Sequence, residues 1–196
     1  EIVDETIIVG EAGGLSGVYV WLRPGSKQKV AVHPELEKQM MENPAVIENL
    51  HCRFEPHTLA LWAGKQKLIV KNSDPIAQVV KIDTLKNQAI NVLVAANTPV
   101  GKGLVVDYKI GESLPLKVAC DFHPWMQAYW MVVDHPYAAV TDKEGKFSIP
   151  NLPVGEHEFR VWHERKGYLD RKYKVKVQKG DNALKAVEIK IGDLKG

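Results

Sequence analysis

Short apolar or alternating runs separated by turn residues recur along almost the whole chain, the pattern of an all-β protein. The string Lys172-Tyr173-Lys174-Val175-Lys176-Val177 shows the logic. A period of two places its lysines on one face of a strand and its apolar residues on the other, so the lysine run is a solvated sheet face. The same reading predicts strands over 6–9, 18–23, 53–62, 67–71, 78–82, 89–94 and 104–108. It continues with strands over 116–120, 129–134, 137–141, 146–149, 156–163, 172–177 and 186–191. One short helix is expected near 34–42, with Pro34 in its first turn, Leu36 and Met40 on one face, and a stop at Asn43-Pro44. That inventory is enough for two β units.

Two kinds of turn divide the chain. The C-terminal part carries Thr141-Asp142-Lys143-Glu144-Gly145-Lys146-Phe147 and then Leu152-Pro153-Val154-Gly155, where Asp, Pro and Gly supply the angles that tight connections demand. This arrangement resembles the transthyretin-like sandwich of carboxypeptidase regulatory-like domains. The strand that should open such a domain is similar to Gly17-Val18-Tyr19-Val20-Trp21-Leu22, near the other end of the chain. The resemblance therefore implies a sandwich split between 1–49 and 135–196, with a second domain over 50–134 inserted into it. The alternative is a simple tandem in which the first strands join the middle domain.

Composition narrows the functions. The 196 residues hold 26 Lys and Arg against 24 Asp and Glu, a formal charge of +2, which argues against nucleic acid as a partner. No apolar stretch approaches the roughly 20 residues that span a bilayer. The chain opens on Glu1-Ile2-Val3 rather than on Met, which suggests a trimmed leader and a periplasmic or secreted location. Two cysteines, Cys52 and Cys120, allow one disulfide at most. The nucleophile elbow, phosphate loop, His-Glu-x-x-His and dinucleotide motifs are all missing, so the chain reads as a non-enzyme.

The candidate chemistry lies in Cys120-Asp121-Phe122-His123-Pro124-Trp125-Met126, between two expected strands. Thiolate, imidazole and thioether are soft donors that suit copper, and the spacing lets one short turn aim all three inward. Here the chain resembles the cupredoxins, and the C-x-x-H-P-x-M loop is similar to that of amicyanins. The upstream residues Phe54, Pro56, Leu59, Leu61, Gly64, Leu68, Val70, Asn72 and Asp74 are similar to the run that leads to the cupredoxin site. The resemblance implies a cupredoxin-like Greek-key barrel beside the transthyretin-like sandwich. It further implies Cys120 as equatorial thiolate, His123 as equatorial imidazole and Met126 as axial thioether, with copper as cofactor.

One position departs from that pattern. Gln78 stands where the family places its other equatorial histidine. Three readings follow: a metal-free site, a copper site completed by His57, Gln78 or water, or a loop serving another metal or partner. Cys52 is open to a disulfide with Cys120, a buried free thiol, or a second sulfur ligand. His135 and His163 read as structural hydrogen-bonding residues. Trp125, Tyr129 and Trp130 either dry the site or, at the Trp125 loop, offer an apolar dock to a redox protein or another macromolecule.

Overall fold

The computed structural model describes residues 4–25 and 29–194. In chain order the strands are β1 (Tyr19–Leu22), β2 (Ala45–Leu50), β3 (Arg53–Glu55), β4 (Thr58–Trp62), β5 (Leu68–Asn72), β6 (Gln78–Ile82) and β7 (Ile90–Val94). They continue with β8 (Leu104–Val106), β9 (Leu116–Ala119), β10 (Gln127–Val133), β11 (Ala138–Val140), β12 (Gly155–His163) and β13 (Gly167–Val177). Helix α1 (Pro34–Glu42) buries Leu36, and a single turn, α2 (Ile191–Leu194), closes the described chain. The fold is nearly all β. It divides into two compact units, one of Pro34–Pro136 and one of Glu1–His33 with Tyr137–Gly196.

The unit Pro34–Pro136 is a sandwich of two sheets, ordered β4-β10-β9-β6-β7 and β3-β2-β5-β8. Its strands alternate as the two faces require. Leu116 and Val118 of β9, Val80 and Ile82 of β6, and Leu68 and Val70 of β5 all turn into one apolar core. Phe54 meets Trp130 edge to face in that core, with ring centroids 6.3 Å apart. Two pairings are parallel, β2 with β5 and β4 with β10, and the rest are antiparallel. The parallel pair of β4 with β10 ties an early segment to a late one.

The other unit is one four-stranded antiparallel sheet, ordered β11-β1-β12-β13. The Tyr137 hydroxyl donates to the carbonyls of Ala31 and Asn151, and the Thr141 hydroxyl donates to Leu15 O while accepting from Val18 N. The turn at Asp142 packs so tightly that a Cβ on Gly14 would lie 1.9 Å from the Glu144 carbonyl oxygen, which only glycine avoids.

Several expected elements differ. Strand β2 departs from the sequence expectation because polar Asn49 takes an inward position of its alternation, where it is buried and donates to Lys71 O. The expected strand over 53–62 is two strands, since Pro56 has no N–H to continue a ladder. Residues 6–9 make only the bridge Val9–Leu15, and 146–149 and 186–191 form no strand. Periodicity alone does not create a partner strand. Helix α1 and β2 lie within the compact unit of Pro34–Pro136.

Two measurements follow from this core. Phe54→Ala should destabilise the chain by about 3–5 kcal/mol, read from the urea midpoint. Tyr108 is fully buried, and its hydroxyl has no hydrogen-bond partner among the described residues. Burial first, and the nearby Glu112 second, push its phenol well above the ordinary value. Such a group keeps its proton in the folded state when the unfolded chain loses it. Its contribution is therefore complete below about pH 10 and falls as pH rises beyond that. Tyr108→Phe should be neutral or stabilising by about 1 kcal/mol near neutrality and should flatten the alkaline loss of stability. A clear loss of stability at neutral pH would count against the unpartnered hydroxyl.

Candidate metal centre

The inward set on β9 is Leu116 and Val118, and one more step of two places Cys120 on the same face just beyond the strand end. On β6 the inward set is Gln78, Val80 and Ile82. These two strands run antiparallel with Lys81 opposite Ala119, so Gln78 and Cys120 come to the same end of the sandwich. The loop from Cys120 to Met126 closes on itself there. Met126 N donates to His123 O at 2.9 Å, and Cys120 N donates to Met126 O at 3.2 Å. Met126 and Cys120 are buried in the common core, His123 is half-buried, and Phe122 and Trp125 are exposed. The Trp125 ring lies 5.1 Å from that of His123.

Three polar atoms converge at this end. Gln78 Oε1 lies 2.9 Å from His123 Nδ1 and 3.6 Å from Cys120 Sγ, and Cys120 Sγ lies 3.7 Å from His123 Nδ1. An amide oxygen only accepts, so the imidazole carries its hydrogen on Nδ1 and the thiol hydrogen also points at Oε1. The other end of the amide has partners of its own. Gln78 Nε2 donates to Asp74 Oδ2 at 2.7 Å and lies 3.5 Å from Cys52 Sγ.

Asp74 is the anchor of this arrangement. Besides Gln78 Nε2 it accepts the backbone N–H groups of His51 at 2.6 Å and Cys52 at 3.0 Å. Those two residues form the two-residue connection between β2 and β3, and both have φ of 53°, the left-handed conformation of a primed hairpin turn. Neither is glycine, so the turn carries strain that the carboxylate offsets. Asn72 braces the next layer. Its side-chain oxygen accepts from Asp74 N, and its amine donates to the carbonyls of Ile76, Val94 and Ala95.

Cys120, His123, Met126 and Gln78 thus share one end of the sandwich, and Cys52 borders it through the Gln78 amide. Cys52 and Cys120 are both free thiols with that amide between them, so the disulfide allowed by the cysteine count does not form. His57 packs edge-on against Tyr129 at 6.4 Å between ring centroids. Among the described residues no three His, Cys, Asp or Glu side chains gather into a metal-holding group, so any metal site here needs Gln78 or Met126 as well. His163 is buried and accepts the Arg165 N–H on Nδ1. The sequence marks Asp74 only as the end of the run that leads to the site, and its bond to Gln78 appears only in the fold.

Thiol titration checks this geometry. Under non-reducing conditions the denatured protein should show two free thiols. In the native protein Cys52, which is partly exposed, should react with an aromatic disulfide reagent well before buried Cys120. An absence of free thiol in the denatured sample would contradict the structure.

No family model matches the chain, and no curated protein matches it. Among solved structures it is similar to a reduced amicyanin variant, at 13% identity and a TM-score of 0.39, over 58% of this chain and 97% of that one. It is also similar to the Cu-containing nitrite reductase (NirK) from Thermus scotoductus SA-01, at 13% identity and a TM-score of 0.40, over 56% of this chain and 25% of that one. A purple cupredoxin from Nitrosopumilus maritimus matches at 18% identity and a TM-score of 0.35, over 45% of this chain and 98% of that one. Likenesses at this level transfer no chemistry, and what this chain binds has to be read from its own residues.

Proposed function

We propose that this chain is a copper-binding protein of the electron-transfer kind, with Cys120 thiolate, His123 Nδ1 and Gln78 Oε1 as donors and the Met126 thioether as a weak fourth. One observation carries the reading. The three atoms separated by 2.9, 3.6 and 3.7 Å surround a common point about 2.0 Å from each, the length of a metal–imidazole or metal–oxygen bond and slightly short of a metal–thiolate bond. A site that must move its donors by only a few tenths of an ångström is close to pre-organised. Gln78 takes the position of the missing histidine as an oxygen donor.

The protein's own work is to hold these groups and to release two protons. His123 Nδ1–H and the Cys120 thiol hydrogen both have to leave before their atoms can bind a cation, so uptake is coupled to proton release. Copper bound there would supply one-electron exchange between Cu(I) and Cu(II). The amide oxygen is a harder donor than imidazole and favours Cu(II). Trp125 and Phe122, exposed beside His123, are the apolar surface that a redox protein would meet. A periplasmic or secreted location and a non-enzymatic role belong to the same proposal. So does the transthyretin-like kinship of the four-stranded sheet β11-β1-β12-β13, which rests on its turn strings. No helix is long and apolar enough to cross a membrane among the described residues.

A second reading has its own support. His123, Cys120 and Gln78 satisfy one another by hydrogen bonds without any metal, which suits a metal-free interaction module of the same ancestry. Copper titration separates the two. One equivalent of Cu(II) added to reduced protein should produce a thiolate-to-copper absorption band and quench tryptophan emission, and Cys120→Ala should abolish the band. Gln78→His should bind copper more tightly and intensify it. No stoichiometric uptake by the reduced protein would leave the interaction module standing.

A further inference from the structure

We infer that Asp74 is a positioning residue that fixes which end of the Gln78 amide faces Cys120 and His123, and thereby the tautomer of His123. The two ends of a glutamine amide are nearly the same shape but opposite in chemistry, since the oxygen accepts and can ligate a cation while the amine does neither. Something must choose between them. On the site side the choice is open, because the His123 imidazole can donate or accept at Nδ1 and the Cys120 thiol does both weakly. On the far side it is closed. The Asp74 carboxylate has acceptors only: its Oδ2 lies 2.7 Å from Gln78 Nε2 and also accepts from Cys52 N, while its Oδ1 accepts from His51 N. An amide oxygen in that place would face a carboxylate oxygen at hydrogen-bond distance.

The consequence passes along the row. With Nε2 held by Asp74, Oε1 stands 2.9 Å from His123 Nδ1, so the ring is protonated on Nδ1. The same oxygen is the third donor of the copper reading, and that part of the inference rests on it. The selection of the amide face does not, because it operates in the metal-free protein.

The inference deals with an outer contact that works through Gln78. In the unmodified, metal-free protein labelled with nitrogen-15, the Gln78 Nε2 protons should show nuclear Overhauser contacts to the backbone amides of His51 and Cys52. The His123 ring should show the Nδ1–H pattern above about pH 8, where an ordinary imidazole is neutral. Contacts of those amine protons to the His123 ring instead would overturn the inference without any variant. In Asp74→Ala, Gln78 Nε2 loses the carboxylate oxygen that holds it. The amide is then free to turn, and His123 should show both ring tautomers in place of the Nδ1–H form alone.

Asp74→Ala combined with Gln78→Glu should restore the Nδ1–H form, because a carboxylate presents oxygen to both sides. A His123 ring that stays wholly in the Nδ1–H form in Asp74→Ala, in protein with the dispersed amide spectrum of the folded state, refutes the role. On the copper side, Asp74→Ala should weaken binding by about tenfold or more, and the double variant should recover it. Wild-type protein that takes up no copper sinks the copper reading, whereas the tautomer measurement decides the role of Asp74 either way.

Discussion

The carboxylate of Asp74 joins segments that are far apart in the chain. It receives the β2–β3 turn through two backbone N–H groups, it is aligned from behind by Asn72, and it grips the first residue of β6 through the Gln78 amide. Charge-assisted hydrogen bonds of this kind are stronger than neutral ones, and at a buried site an unfilled one is costly. The hairpin turn uses left-handed His51 and Cys52 in place of the usual Asn-Gly, and Asp74 supplies the compensation. Local strain, turn geometry and amide orientation are therefore one problem with one solution. The loop of Cys120, His123 and Met126 is the last layer laid upon it.

Burial and exposure divide that loop by function. Cys120 and Met126 belong to the apolar core, which excludes water and fixes their rotamers, and His123 sits at the boundary. Phe122 and Trp125 point to solvent from the same short segment. Two backbone hydrogen bonds close the loop internally, with Cys120 and Met126 inside, while the exposed Trp125 ring lies 5.1 Å from that of His123.

Much of this was legible in the sequence, and for physical reasons. Cys120, His123 and Met126 lie within seven residues, so their convergence is a local property of a short turn between strands. The inward placement of Gln78 and Cys120 follows from counting by two along β6 and β9. The registry of those strands, and with it the meeting of Gln78 with Asp74 and His123, is a long-range property that no local pattern encodes. Strand β2 was invisible because Asn49 is a polar residue on the buried face, where it serves a carbonyl of the adjacent strand. Conversely, 186–191 alternates well and forms no strand, because its mostly exposed residues find no ladder partner among the described residues. Gln78 was readable as a departure from the family pattern. That the departure is supported from behind by an acidic side chain was not.

The strand pairings also set an order of events during synthesis. Strand β1 is made early, yet both of its neighbours, β11 and β12, follow the whole of the sandwich unit. Within that unit β4 in turn waits for β10. A chain growing from its N-terminus therefore carries two unpaired apolar strands for most of its length, and the outer one stays exposed longest. Contacts of such long sequence separation fold slowly and leave strand edges open to wrong partners. The nested topology places its burden on the growing chain, which holds β1 and β4 without ladder partners until β10, β11 and β12 are made.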